Sequence, residues 1–443
     1  MPLAASLRNE LIGVCGPERV SFADEDRRAC ARDMWPLGQL GFRFGRSFRL
    51  HEAVVWPETT AEVASVVDAA RRAGVAVVPV GAGSGVCGGT AALGEAIALD
   101  LKRMDRVLEI DKGALRVRTQ VGIVGEVFER RLQREGLTLG HFPSSIYCST
   151  VGGWLAARSA GQLSTWYGKI EDMVLDLVAV IGTGEVVRAS DLSPGMDPAD
   201  AAALVLGSEG TTAVITEADL AVHPYPERRE FLSARFGSVE KGLAAIRDLL
   251  QAGVVPAAVR LYDELDTLLV GKPEKKGSGS GLSSRLLSGE RAARRLERLL
   301  RLSPVLNWLG PLLPVGCLLV LAFEGPAGVA EAGVRAAAAR VERSGGVSLD
   351  PAPARRWWDH RYDVSYKQAP VFRLGGMVDT IEVAATWDRL LPLYRRMRAA
   401  IGRSALVLAH FSHAYREGCS IYFTFLLPMS DFDLARERYG RVW

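Results

Sequence analysis

A glycine-rich stretch from Val77 to Thr90 constrains this chain more than any other part (VVPVGAGSGVCGGT). It follows a helix-like segment, Ala61 to Gly74, and a short run of β-branched residues, so its glycines begin where a strand ends. Glycine tolerates positive φ and leaves the backbone amide open to a ligand. Such a loop can form a concave set of amides for pyrophosphate oxygens. The stretch therefore predicts a nucleotide-binding loop, with a plain turn as the alternative.

Two known phosphate-binding motifs do not match this stretch. A Rossmann-type turn requires a helix directly after the glycines, whereas here a further loop leads to a strand, Ala96 to Leu101. A P-loop ends in Gly-Lys-Ser or Gly-Lys-Thr, and the stretch contains no lysine. The sequence thus favours a nucleotide held mainly by loop amides rather than by a helix dipole.

The composition indicates a globular protein with more than one domain. The chain has 443 residues, 48% hydrophobic and 24% charged, and this length suggests at least two domains. A net charge of +3 without a basic tail argues against a nucleic-acid partner. The six cysteines form no CxxC pair, which predicts reduced thiols in a cytoplasmic protein.

Two neighbouring segments bear on membrane contact. Val305 to Phe323 has nearly the length of a membrane span, but prolines and glycines interrupt it. We expect a loop followed by a buried strand, Cys317 to Phe323. Ser288 to Leu302 is predicted as a basic amphipathic helix, which is either a solvated surface element or a membrane-surface anchor. Peripheral membrane contact stays open, and a homodimer is a further open alternative.

A second cluster of small polar residues, Gly140 to Gly161, is a candidate second wall of the nucleotide site. It is dense in hydroxyl side chains and glycines. Its spacing equally fits a long loop that caps a helix, Trp154 to Ser159. Further along, the sequence LGSEGTT, Leu206 to Thr212, leads into a predicted strand, Ala213 to Thr216.

A change of composition after Pro226 predicts a domain boundary near Arg228, which divides the chain into residues 1–227 and 228–443. The second part is expected to begin with a strand and a helix. A strand that carries Arg260 follows, and then a lysine-rich insert, Gly271 to Leu282, that is predicted to be flexible.

Three segments together resemble the flavoproteins of the vanillyl-alcohol-oxidase type: Pro79 to Gly85, Ser149 to Gly153, and Gly207 to Gly210 with Val214 to Glu217. Within that superfamily the chain is most similar to the alkyldihydroxyacetonephosphate synthase family. Four further motifs follow that family's order: Ser149 to Trp154, Tyr167 to Asp172, Val259 to Leu261 and Ser420 to Phe423. The resemblance covers about Val54 to Phe425.

The resemblance implies an α+β fold, in which a two-subdomain PCMH-type FAD-binding domain precedes a cap domain with an antiparallel sheet and flanking helices. It also implies non-covalent FAD, because Ser84 stands where the covalent members carry a histidine. The residues that it assigns to the cofactor are Pro79, Gly81, Ala82, Gly83, Ser84, Gly85, Pro143, Ser144, Ser145, Ser149, Thr150, Gly152, Gly153, Trp154, Glu209, Gly210 and Ile215.

The reaction that the resemblance implies belongs to ether-lipid synthesis. A fatty alcohol replaces the fatty acid of acyl-dihydroxyacetone phosphate, and the flavin serves as an electron sink without net electron transfer. Two residues are implied as catalytic, Tyr422 and Arg260. His410 is a third candidate, which is expected to face the site although the animal-type synthase has an arginine there. Tyr422 lies on the polar face of a strand that also carries Ser420 and Thr424. With a free pKa of about 10 it needs a nearby cation to act as a base, and without the resemblance it is a surface tyrosine.

Arg260 is expected to bind the substrate phosphate through a bidentate contact; the alternative is a salt bridge to Asp263 or Glu264. The spacing of His410 and His413 predicts opposite faces of a strand, so no metal site is expected. The stretch from Asp379 to Val383, together with Trp387, either lines the far side of the flavin or forms a buried strand before a helix.

The C-terminal segment is predicted as a helix capped by Ser430 or Asp431. The family continues beyond this helix with catalytic histidines, so we expect either a fragment or a short form that has lost part of the catalytic apparatus. Two other functions stay open: an FAD-dependent dehydrogenase of a 2-hydroxy acid such as lactate or glycolate, and a non-catalytic flavin-binding protein.

Overall fold

The computed structural model describes residues 3–46, 48–192, 195, 197–270, 290–310, 314–429 and 431–443. These fall into two compact units. The first comprises Met1–Gly161 and Gly168–Tyr225, and the second Gln162–Tyr167 and Pro226–Trp443. The predicted flexible insert, Gly271 to Leu282, lies outside the described residues.

The described helices, in chain order, are α1 (Ala5–Cys15), α2 (Asp24–Cys30), α3 (Pro36–Arg43), α4 (Thr60–Ala73), α5 (Gly125–Arg134), α6 (Val151–Ala157), α7 (Ser164–Tyr167), α8 (Ala189–Leu192), α9 (Pro198–Ala202), α10 (Val239–Gln251), α11 (Glu264–Val270), α12 (Glu290–Arg301), α13 (Ser303–Leu309), α14 (Ala327–Arg343), α15 (Ala352–Asp359), α16 (Val364–Arg373), α17 (Trp387–Ile401) and α18 (Phe432–Val442).

The described strands are β1 (Val20–Ser21), β2 (Ala53–Val55), β3 (Ala76–Val80), β4 (Ala96–Asp100), β5 (Val107–Asp111), β6 (Arg116–Gln120), β7 (Leu137–Thr138), β8 (Val174–Ile181), β9 (Val186–Arg188), β10 (Ala213–Ala221), β11 (His223–Pro224), β12 (Arg228–Phe236), β13 (Ala258–Tyr262), β14 (Cys317–Gly325), β15 (Val347–Leu349), β16 (Gly376–Thr386), β17 (Leu406–Ala414) and β18 (Gly418–Pro428).

The first unit contains two larger sheets, as expected for two subdomains. One has the order β1-β2-β4-β3, and its strands β2, β4 and β3 are parallel. The other is antiparallel, with the order β5-β6-β10-β8-β9. Helix α4 connects β2 to β3, begins where the Glu62 amide donates to Thr59 Oγ1 at 3.2 Å, and ends at Gly74 with φ of 69°. Both ends of helix α4 are therefore fixed, and this sets where β3 and the glycine loop after it begin.

The second unit is built on an antiparallel sheet of seven strands, ordered β15-β12-β14-β13-β17-β18-β16. Helices α10, α14 and α17 pack on it. Strand β18 alternates as the sequence predicts: Phe423 and Phe425 are buried, whereas Tyr422 is partly exposed. The apolar side chains of β18 lie on the buried face of the sheet, and its polar side chains lie on the other face. The prediction of an α+β fold with an antiparallel second sheet is confirmed.

Two local predictions were wrong. Residues 303–309 form helix α13 and not a loop, because Pro304 is tolerated in the first turn of a helix and the first glycine comes only at Gly310. Helix α6 begins at Val151 instead of Trp154, since the hydroxyl of Thr150 caps it. The later part of the first stretch does form a buried strand, β14. Among the described residues, no helix is long and apolar enough to cross a membrane.

A buried ion pair ties α17 to the end of β13. Asp263 is fully buried, and its carboxylate accepts from Arg398 Nη1 at 2.6 Å and from the Tyr394 hydroxyl at 3.3 Å. Burial nevertheless raises the pKa of Asp263 to about 7, although the charge of Arg398 opposes this shift. Among the residues that the structure describes, this carboxylate is the one ion-pair partner of the Arg398 guanidinium.

We expect Asp263→Ala to lower the free energy of unfolding of the second unit by about 3–5 kcal/mol, because it leaves Arg398 buried without a counter-ion. Urea unfolding followed by far-UV circular dichroism measures the change. Glu240→Ala is the matched control, since it breaks an exposed pair with Arg395 and should cost less than about 1 kcal/mol. Equal effects of the two variants would contradict this account of the buried pair.

Candidate active site

The three segments that the sequence singled out meet in the first unit. A Cβ atom added to Gly81 would lie 2.5 Å from Thr150 Oγ1, and one added to Gly210 would lie 2.8 Å from the ring of Pro79. A Cβ on Gly89 would come within 3.2 Å of the Glu209 carboxylate. The first two approaches explain why glycines occupy positions 81 and 210, whereas the Glu209 side chain can move away from a Cβ at position 89. The three contacts place the glycine loop next to the second cluster and next to the Leu206 to Thr212 turn.

The glycine loop presents backbone amides. Gly83 and Gly88 adopt φ of 66° and 83°. The Gly88 amide donates to Asp33 Oδ2 at 2.8 Å, and Lys102 Nζ donates to the Gly81 carbonyl at 3.0 Å. Over the part of the chain that is described, the amides of residues 81–84 have no hydrogen-bond acceptor. These amides are therefore able to bind the pyrophosphate of a dinucleotide. That Gly81, Ala82, Gly83, Ser84 and Gly85 bind it stays a prediction.

The second cluster caps a helix, and its role as a wall of the nucleotide site stays a prediction. Thr150 Oγ1 accepts from the Gly153 amide at 3.2 Å at the start of α6. Ser149 Oγ accepts from Trp154 Nε1 at 2.7 Å and donates to the Ser145 carbonyl at 2.9 Å. Ser149 and Trp154 are buried and hydrogen-bonded to each other. They therefore support this segment from within the fold.

The remaining predicted cofactor residues differ in exposure. Ser144 and Ser145 are partly exposed, whereas Pro143 is buried. Gly152 fits directly against Val121, which a Cβ would approach to 2.9 Å. Ile215 is buried in β10. Ser144 and Ser145 are thus the members of this group best placed to contact a ligand.

The sequence did not indicate two residues that hold the loops. Asp33 accepts from the Gly88 amide, as described above, and Arg158 donates from Nε to the Leu206 carbonyl and from Nη2 to the Ala203 carbonyl, both at 3.0 Å. Arg158 has φ of 47°, a strained value for arginine. Asp33 lies in a segment without a motif, and Arg158 lies within the second cluster but is not one of its hydroxyl or glycine residues, so only long-range contacts reveal their role.

A polar row crosses four strands of the second unit. Tyr262 is paired with His410, His410 with Tyr422, and Tyr422 with Glu382. Directly opposed residues of antiparallel strands lie on the same face. The sheet thus brings together the three residues predicted as catalytic, because Arg260 lies two residues before Tyr262 on the same strand.

Arg260 is bound to a histidine and not to a carboxylate. Its Nη2 lies 2.8 Å from His410 Nε2, and its Nε is buried without a hydrogen-bond partner. The alternative, a salt bridge to Asp263 or Glu264, does not occur, and no ion pair of Arg260 is found among the described residues. Asp266 attracts the guanidinium without forming an ion pair with it, and the unpartnered Nε is left for a ligand.

His410 is neutral in this arrangement. A guanidinium can only donate, so Nε2 accepts and the proton lies on Nδ1, 3.4 Å from Asp266 Oδ2. Burial, with the charge of Arg260, lowers the pKa of His410 well below its usual value. Burial also raises the pKa of Asp266 to about 7. Asp266 is a further site residue that the sequence analysis missed.

Tyr422 stacks on His410, with ring centroids 4.9 Å apart. Burial raises the pKa of Tyr422, and the weaker effect of Arg260 in the opposite direction does not overcome it. At neutral pH the phenol is therefore protonated and can donate a hydrogen bond. Arg260 therefore does not lower the pKa of Tyr422 enough for the phenol to act as a base.

The prediction that His410 and His413 occupy opposite faces was wrong. Strand β17 bulges between Ser412 and Ala414, and His413 has φ of 50°. The bulge turns His413 toward Glu382, 4.0 Å from Nε2, while Nδ1 lies 2.7 Å from Ser164 Oγ. An extra residue in a strand shifts the alternation on which the prediction depended. Within the described ranges, no three His, Cys, Asp or Glu residues are grouped to hold a metal ion.

Comparisons with known proteins agree with this architecture. The family of FAD binding domains matches residues 51–190, and the C-terminal domain of FAD linked oxidases matches residues 225–441. Alkyldihydroxyacetonephosphate synthase of Dictyostelium discoideum is 29% identical over 395 residues, which are 86% of this chain and 62% of the relative. Glycolate oxidase subunit GlcD of Bacillus subtilis is 29% identical over 269 residues, 60% of this chain and 55% of that protein.

A solved structure of an alkyldihydroxyacetonephosphate synthase superposes with a TM-score of 0.81 at 26% identity and covers 99% of this chain and 78% of its own. The loops of the first unit fit the cofactor that the matched domains bind, so FAD is the cofactor of this protein. The chain belongs to the FAD-linked flavoproteins of the vanillyl-alcohol-oxidase superfamily, in which a PCMH-type FAD-binding domain precedes an FAD-linked oxidase C-terminal domain.

Proposed function

We propose that the chain is a synthase-like enzyme of ether-lipid formation, which exchanges the acyl group of acyl-dihydroxyacetone phosphate for a fatty alcohol. Residues 1–227 would bind FAD without a covalent link, because Ser84 replaces the histidine of covalent relatives, and residues 228–443 would bind substrate. The synthase relative and the synthase structure support the choice of reaction.

The observation that carries the proposal is the buried Nε of Arg260, which has no hydrogen-bond acceptor. The guanidinium is hydrogen-bonded to His410 and Tyr262, which are both neutral, so it is suited to an anionic group. Arginine matches phosphate through parallel N–H donors. His410 would fix the guanidinium plane. Asp266 would fix the tautomer of His410, because its carboxyl group lies next to Nδ1.

Tyr422 would act as a hydrogen-bond donor to the substrate, since its pKa is raised. FAD, when bound, would supply the electron sink that allows the acyloxy group to leave carbon 1. Overall, the bond between carbon 1 and the acyloxy oxygen breaks and the fatty acid departs. The oxygen of the alcohol then forms the ether bond, and its proton is lost.

An isotope experiment tests this function. The FAD-loaded protein is incubated with palmitoyl-dihydroxyacetone phosphate and hexadecanol labelled with oxygen-18, and the products are analysed by mass spectrometry. We expect one labelled ether product for each palmitate released. Palmitate release without ether formation, or no product at all, would rule the proposal out.

A second candidate, oxidation of a 2-hydroxy acid, is supported by the similarity to the glycolate oxidase subunit. A carboxylate could also bind Arg260. Under exclusion of air, glycolate or lactate should then reduce the flavin and bleach it. An enzyme that catalyses only the exchange reaction should keep its flavin oxidised with either acid. The response to these acids separates the two functions.

We also propose that helices α12 and α13 contact an anionic membrane surface. Arg298 and Arg301 lie in the last turn of α12. Beside them Leu302, Val305 and Trp308 are 55%, 51% and 69% exposed. Basic and exposed apolar side chains in adjacent helices are typical of an interfacial anchor.

The double variant Leu302→Ser/Trp308→Ser should bind phosphatidylglycerol vesicles at least about tenfold more weakly in co-sedimentation, because burying each side chain contributes roughly 1.5–3 kcal/mol. Leu204→Ser is the control, since Leu204 is 70% exposed elsewhere in the chain. Unchanged binding of the double variant, or absence of binding by the wild type, would exclude this anchor.

A further inference from the structure

Two buried hydrogen-bond donors lie next to each other on the polar face of the second unit. Neither Arg260 Nε nor Trp357 Nε1 has an acceptor. Arg260 Cζ lies 5.8 Å from the centroid of the Trp357 ring. Buried donors in folded proteins nearly always have a partner. Two adjacent donors without one indicate a place for acceptor oxygens that the chain itself does not supply.

The position of Trp357 is fixed by the fold. Helix α15 is tied to the sheet where the Ala354 amide donates to Ser233 Oγ at 3.0 Å. The Trp357 ring packs against a buried cluster that contains Tyr262, Leu318 and Val320. The direction of its indole N–H is therefore set by packing, as a binding site requires.

The neighbouring side chains do not satisfy these donors. His410 is neutral and its Nε2 accepts from Arg260 Nη2. Tyr262 is hydrogen-bonded to Arg260, but burial raises the pKa of Tyr262 to about 12, so its hydroxyl keeps its proton and brings no negative charge, and Arg260 Nε is still without an acceptor. A ligand group with several anionic oxygens can accept from the indole and compensate the guanidinium at once.

We infer that Trp357 is a substrate-binding residue, whose indole N–H binds the same anionic oxygen group as Arg260. The inference rests on the proposed function in naming that group as the phosphate of a dihydroxyacetone phosphate headgroup. A carboxylate presents the same chemistry, and the experiment therefore compares both anions.

The adjacent tryptophan has a different role and provides the control. Trp358 is stacked between Arg229 and Arg361, whose Cζ atoms lie 4.0 and 3.8 Å from its ring. Trp358 also packs on Phe231. Its aromatic faces are used for packing, so it stabilises the fold without donating to the ligand.

Titration calorimetry of the full-length FAD-loaded protein with dihydroxyacetone phosphate, and separately with glycolate, tests the inference. Trp357→Phe keeps the ring but removes the donor. We expect about tenfold weaker binding of the anion that the wild type binds, or about 1.4 kcal/mol. The melting temperature without ligand should not fall, because no internal hydrogen bond is lost. Trp358→Phe should bind the anion normally.

The outcomes separate the inference from the proposed function. If Trp357→Phe binds the anion as tightly as the wild type does, the indole N–H is not a ligand donor and the inference is wrong. If the wild type binds glycolate but not dihydroxyacetone phosphate, the proposed function fails while a weakened Trp357→Phe still supports the anion site. If the wild type binds neither anion, both fail.

Discussion

Gly81→Ala is expected to be purified with less flavin than the wild-type protein carries, because it weakens FAD binding by at least about tenfold, or about 1.4 kcal/mol. The added Cβ would lie 2.5 Å from Thr150 Oγ1, which no real Cβ contact tolerates. Thr150 cannot turn away freely, since its hydroxyl caps α6. The loop must therefore shift, and its amides move out of position. The ratio of visible to ultraviolet absorbance of the purified protein measures the flavin content.

Two further variants make this result specific. Gly94→Ala adds the same methyl group where no atom lies within 4 Å, so it should retain full flavin. Thr150→Ala introduced into Gly81→Ala removes the clashing oxygen and should restore part of the flavin, at the cost of the helix cap. Full flavin content in the single Gly81→Ala variant would show that the loop does not hold the cofactor.

Arg260→Lys is expected to lower kcat/KM for acyl-dihydroxyacetone phosphate by about 100-fold, or roughly 2.8 kcal/mol. Lysine keeps the charge but loses the planar donors that hold both His410 and a phosphate. The loss should appear mainly as a raised KM, because the contact is made in the bound substrate as well as in the transition state. Steady-state rates of ether formation with varied substrate give both constants.

The control for Arg260→Lys is Arg395→Lys, which changes an exposed arginine of the same unit, paired only at the surface. This variant should have wild-type kinetics. If Arg260→Lys also has wild-type kinetics while the flavin content is unchanged, Arg260 does not bind the phosphate. A loss in kcat alone would instead place Arg260 at the reacting atoms.

The sequence predicted those parts of the fold that depend on local pattern. Helix α4, which was predicted over Ala61 to Gly74, and the alternation of β18 follow from propensity and periodicity. The glycine loop could be recognised because Gly83 and Gly88 adopt positive φ values that favour glycine. Gly81 and Gly210 occupy positions where a side chain would clash with another segment.

The parts that the sequence did not predict depend on long-range contacts. Asp33 acts on a loop 55 residues away, and Asp266 reaches His410 only because β13 and β17 are neighbours. The bulge at His413 changes the face of one side chain without any glycine or proline to signal it. Trp357 lies in a helix whose sequence carries no motif, and only its buried donor reveals a role.

The measurement that tests the central claim most directly is the visible spectrum of the bound flavin during one cycle of substrates. Palmitoyl-dihydroxyacetone phosphate is added under air, and hexadecanol follows. The account predicts that the flavin band bleaches with the first substrate and returns with the second, with one palmitate released for each alkyl product. A flavin that ignores palmitoyl-dihydroxyacetone phosphate, or is bleached by glycolate instead, would contradict the exchange reaction proposed for this protein.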